Sequence, residues 1–128
     1  MKLFYTISFL LATVLMYGQE VSPDPRLNER FSQEQLEKMS DDRIIYWNYY
    51  LDHSFQIMAM AEEKVPYLID LETVSIDPES FHGFTMELDS YHREGAYLKI
   101  EGHQQMLVVK SMKQFIQEFN AYYQSLKK

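Results

Sequence analysis

The four histidines, His53, His82, His92 and His103, are the side chains of this sequence best suited to bind a metal ion or move a proton near neutral pH. Their spacing argues against a shared ion. His92 and His103 flank a predicted strand, which at ~3.3 Å per residue holds them about 20 Å apart. A second predicted strand, residues 84 to 89, separates His82 from His92 in the same way. On a helix, His53 has Tyr49 and Ile57 at its i−4 and i+4 positions, and neither is a second ligand. The sequence therefore predicts no metal and no cofactor. A small exported hydrolase or metal-dependent enzyme would require His82, His92 and His103 to converge.

Asp77, Ser80 and His82 are the residue types of a hydrolytic triad. A nucleophile needs a base held in line by a third group, and six consecutive residues in one turn rarely supply that geometry. Acid and base work by paired carboxylates is the other option, at Glu62-Glu63, Asp70-Glu72 or Glu87-Asp89. Adjacent and alternate acids usually line a solvated face. Phosphate loops, His-Glu-x-x-His, Gly-x-Ser-x-Gly and EF-hand patterns are all missing, so the sequence leans away from an enzyme.

The remaining chemistry is aromatic. At about 100° per residue, Ile44, Trp47, Leu51, Phe55 and Met58 share one stripe of a predicted helix. Tyr46, Tyr49, Tyr50, His53, Ile57 and Met60 form a second stripe nearly opposite, with Asn48, Asp52 and Gln56 between them. Two apolar faces fit a central helix packed on both sides. They also fit a Tyr46, Tyr49, Tyr50 and His53 surface that touches another protein, a peptide or a glycan, because amphipathic rings are favoured at such contacts. Burial of the second face in a homo-oligomer is the third option.

The elements that must position these groups are readable to different degrees. Ser32 and Gln35 form a capping box, with Phe31 and Leu36 as its hydrophobic staple, and start a short helix to about Met39. Ser40 caps the long helix, with Asp41 and Asp42 at its positive end, and that helix is expected to run to about Lys64. Leu68 to Ile76 reads as a strand or a helical turn, and Phe84 to Asp89 alternates like a half-buried strand. Ala96 to Glu101 and Met106 to Lys110 read as a hairpin around Gly102. From Ser111 the period becomes helical, with Met112, Phe115, Ile116, Phe119, Tyr122, Tyr123 and Leu126 on one face that should lie on the sheet or against the long helix. The expected fold is α+β: a short helix, a long central helix, a small antiparallel sheet with the C-terminal hairpin, and a closing C-terminal helix.

Residues 1–18, MKLFYTISFLLATVLMYG, have the layout of a secretory signal peptide: Lys2, an apolar run, and Gly18 at the end. The run is shorter than the ~20 residues needed to span a bilayer. It is followed by Pro23 and Pro25 rather than by a basic flank, so no stable anchor is expected after cleavage. The division expected is signal peptide 1–18, linker 19–30 and one domain 31–128. With no cysteine the chain is disulfide-free and cannot be acylated as a lipoprotein, and no asparagine starts a glycosylation sequon. These features favour export to a bacterial periplasm or the exterior. The net charge of −7, which becomes −8 when Lys2 leaves, argues against nucleic acid as a partner.

Overall fold

The computed structural model of the protein describes residues 21–60 and 71–127. The expected signal peptide, the end of the expected long helix, and Glu62, Glu63 and Asp70 lie outside them. Among the described residues, three helices and four strands make an α+β arrangement, two helices before the strands and one after: α1 (Gln33–Lys38), α2 (Asp41–His53), β1 (Phe55–Ala59), β2 (Thr73–Val74), β3 (Ala96–Ile100), β4 (Gln105–Val109) and α3 (Met112–Leu126). A 3-10 helix, Pro25–Glu29, precedes them.

The capping signals act as the sequence predicts. Ser32 accepts from the Gln35 amide while the Gln35 side chain accepts from the Ser32 amide, closing the capping box. Ser40 and Ser111 accept from the amides of Arg43 and Gln114 at the starts of α2 and α3.

The sheet order is β1-β4-β3-β2. β3 and β4 form the expected hairpin, turning through Gly102, whose φ of +78° is one that a residue with a Cβ rarely adopts. β1 pairs antiparallel with β4, and β2 runs parallel to β3, so the sheet is mixed rather than wholly antiparallel. Two corrections stand beside this. The long helix stops at His53, and Phe55–Ala59, expected to continue it, is the edge strand β1. Residues 84 to 89 form bends and turns, not a strand.

Register and alternation place Phe55, Ile57, Leu98, Ile100, Leu107 and Val109 on one face of the sheet. The connection between β2 and β3 folds over that face, adding Phe81 and Leu88, with Ile76, Met86 and Tyr91 around them. Each such side chain taken from water contributes roughly 1.5–3 kcal/mol. The helices do not cover this sheet. α2 and α3 pack against each other at the end where β1 begins and β4 ends.

Residues 22–30, within the stretch expected to be a linker, are tied to α2. Asn48 accepts from the Asp24 amide at 2.9 Å and donates to the Ser22 carbonyl at 3.0 Å. Arg26 bridges Asp24 and Asp52 at 2.9 and 2.8 Å. Leu27 is fully buried with Leu36 and Leu51. A single apolar residue in a polar, proline-containing stretch gave no periodicity from which this docking could be read.

Candidate functional site

The aromatic face of α2 owes its position to the way the helix ends. Ser54 turns back on Tyr50, donating both its amide and its hydroxyl to the Tyr50 carbonyl at 3.2 and 2.7 Å. The Leu51 carbonyl accepts from the Gly83 amide at 2.8 Å. Carbonyls that a longer helix would have satisfied are thus taken by the cap and by a distant loop. The loop comes this close because position 83 is glycine: a Cβ there would lie 2.8 Å from the Tyr50 ring and 2.9 Å from its carbonyl. His53 is left as the last residue of α2, at its negative end.

Both faces of α2 are packed, which is the central-helix arrangement. Trp47 meets Phe31 at 5.4 Å and Phe84 at 5.7 Å between ring centroids. On the other side, Tyr46, Tyr49 and Tyr50 all lie 5.5–5.6 Å from Phe115 of α3. The tyrosines differ in what they leave open. Tyr50 is only 2% exposed, and its hydroxyl lies 2.8 Å from His92 Nε2. His92 Nδ1 lies 2.8 Å from the Lys110 carbonyl, which can only accept, so the network assigns the proton to Nδ1. In the neutral ring Nε2 then accepts from Tyr50. Burial pushes the Tyr50 phenol up to about 12, so it stays a donor. Tyr50 supports the surface from beneath.

Tyr46 is half-buried, edge-on to Phe119 at 5.3 Å. Tyr49 forms the middle of a ladder, stacked on His53 at 4.2 Å and 16° and on Tyr122 at 4.6 Å and 22°. His53 is exposed, Tyr122 is 38% exposed, and Tyr49 is half-buried between them. Beside the ladder, the nearly buried Lys110 donates to Glu118 at 2.7 Å, and Gln114 donates to the other Glu118 oxygen at 3.3 Å. The bond from Lys110 holds the Glu118 carboxyl below its ordinary range. Burial, and then the Lys110 charge, keeps the His53 imidazole on the low side, favouring the neutral ring.

The rim is thus three rings above an internally compensated ion pair. Stacked rings have already used faces on one another. What remains open is ring edges, the two end faces and the polar tips. Of the expected surface residues, Tyr49 and His53 lie on the rim, Tyr46 is at its margin and Tyr50 lies inside. Tyr122, Lys110 and Glu118 were missed. Tyr122 belonged to an apolar stripe that looked committed to the core, and nothing local joins Lys110 to Glu118.

Among the described residues, the competing chemistries do not assemble. Ser80 donates to Asp77 at 3.2 Å, but both nitrogens of the buried His82 point elsewhere: Nδ1 accepts from the Phe84 amide at 3.1 Å and Nε2 lies 3.2 Å from Glu29. Glu72 accepts from the Tyr91 hydroxyl, and Glu87 lies 3.8 Å from Arg30. Among the described residues, no three His, Asp or Glu side chains group as metal ligands. A shallow hollow of about 260 Å³ is lined by Ser90, Tyr91, Arg93, Glu94 and Gly95, none of them a residue of the aromatic rim. Compared with known proteins, the chain matches no family model, no curated protein and no solved structure.

Proposed function

We propose that the protein is an exported, non-enzymatic binding module that holds another protein or a peptide at the rim formed by Tyr49, His53 and Tyr122. The observation that carries the reading is the stacked ladder itself. Three amphipathic rings are fixed by mutual contact, so little side-chain entropy is lost when a partner covers them. Tyrosine is also enriched among the few residues that dominate contact energies. The layout of residues 1–18, Lys2 followed by an apolar run ending at Gly18, supports export.

The test is selection of peptides on the protein from a random displayed library, followed by measurement of affinity for wild type and for the double variant His53→Ala/Tyr122→Ala. The expected result is a loss of at least about tenfold, or about 1.4 kcal/mol, with circular dichroism unchanged. Selected peptides that bind the double variant as well as wild type overturn the proposal.

A further inference from the structure

Among the described residues, the β1 edge of the sheet is unpaired and lacks the protection that edges usually have. β1 lies at one end of the strand order, and β2, at the other end, has only two residues. A long exposed edge is normally blunted by lysine, proline, a bulge or a covering element. β1 reads Phe-Gln-Ile-Met-Ala, its register with β4 is unbroken, and no residue from Ser54 to Ala61 is charged.

The register also fixes which backbone groups point outward. The Lys110 amide donates to the Ser54 carbonyl and the Met60 amide to the Gln104 carbonyl, so the even-numbered residues of β1 are those that exchange bonds with β4. Ile57 and Ala59 therefore direct their N–H and C=O groups away from the sheet. Among the described residues, nothing bonds to them there.

We infer that this edge pairs with the same edge of a second copy, antiparallel about a two-fold axis at Ile57, joining two sheets into one. In that register the two Ile57 residues exchange both hydrogen bonds, and Phe55 falls opposite Ala59 of the second copy, large against small. Gln56 falls opposite Met58, whose side chain is 47% exposed. An isologous contact sets each patch against its own copy, so a charged patch of one sign would repel itself. This strand meets that requirement because it is neutral throughout.

The experiment is light scattering on the untruncated protein over a dilution series, with amide hydrogen exchange on the same samples. At the highest soluble concentration the mass should be twice the 15.3 kDa of one chain, falling towards one chain on dilution. The Ile57 and Ala59 amides should lose their protection in step. Ile57→Pro removes an outward donor that β4 does not use, and Ala59→Lys places a charge on the exposed edge. Both should give monomers, and the lysine variant keeps the test valid if the proline variant fails to fold. A monomer at every concentration with fast-exchanging Ile57 and Ala59 amides overturns the inference, leaving the edge for a foreign strand or for none. A dimer that survives both substitutions also overturns it, because the contact would then lie on another face. His53→Ala/Tyr122→Ala should leave the mass unchanged, so this result and the peptide-binding result can fail separately.

Discussion

The sheet core and the helical core bury apolar surface in two different ways. Under the sheet, Leu88, Leu98, Ile100, Leu107 and Val109 are at most 2% exposed, and the filling is mostly aliphatic, with Phe55 and Phe81 edge-on to each other beside it. Between α2 and α3 the filling is almost entirely rings, and of these only Tyr50 and Phe115 are fully enclosed. A branched aliphatic chain has no polar end to keep wet, so a core built from it can seal. A tyrosine or histidine packs with its body and leaves its tip at the boundary. The ring-built half of this protein is the half that carries rings and polar tips to its surface.

Truncating the centre of each core gives the largest effects and tests whether the two are one cooperative unit. Phe115→Ala should cost about 3–5 kcal/mol and Leu107→Ala about 2–5 kcal/mol. Trp47, the only tryptophan, reports on the helical half by fluorescence, and far-UV circular dichroism reports on the whole. Coincident denaturant transitions in both variants are expected for a single unit. Separate transitions would break the molecule into two.

The next test concerns the loop that joins the halves. Gly83→Ala forces a methyl group against the Tyr50 ring and carbonyl and should cost about 1–3 kcal/mol. A smaller loss, about 1–2 kcal/mol, is expected for Tyr50→Phe, which leaves His92 Nε2 without its donor inside the protein. Nitrogen chemical shifts should still show the proton on His92 Nδ1, because the Lys110 carbonyl remains its acceptor. A proton moved to Nε2 would mean that Tyr50 sets the tautomer instead.

The smallest effect separates the halves by pH. The folded state binds a proton at His53 less readily than the unfolded chain does, so stability should fall as pH drops below the ordinary imidazole value of 6.5. Glu118 and Asp24 are held low by Lys110 and Arg26, and their contribution is present above the ordinary carboxylate range and lost as pH falls through it. His53→Gln should flatten only the first part of the curve in denaturant titrations at stepped pH. An unaltered slope there would remove His53 as its source.

Local signals in the sequence were sufficient wherever the structure uses them locally. Ser32 with Gln35, Ser40, the alternation of residues 96 to 101 and the single apolar stripe of α3 each act within a few residues, and each is realised. The end of α2 was not legible. Residues 54 to 60 continue the helical stripes and contain no glycine or proline, and at the stop the Leu51 carbonyl is taken by the Gly83 amide, far along the chain. Phe84 to Asp89 alternates without pairing: Phe84 serves the helical core, and Met86 and Leu88 serve the sheet core. The rim was half legible. Tyr49 and His53 lie one turn apart on α2, whereas Tyr122 reaches them only through the antiparallel contact of α2 with α3.

The docking of Asn48 onto Ser22 and Asp24, with Leu27 seated beneath, sets a limit on how far the amino terminus can be shortened. A peptidase that cuts before Ser22 leaves every one of these contacts in place. One that cuts beyond Leu27 opens a hole beside Leu36 and Leu51 and strips Asp52 of its arginine. Any cut in this stretch therefore changes the structure according to where it falls, and affinity tags belong at the other end of the chain or ahead of Ser22.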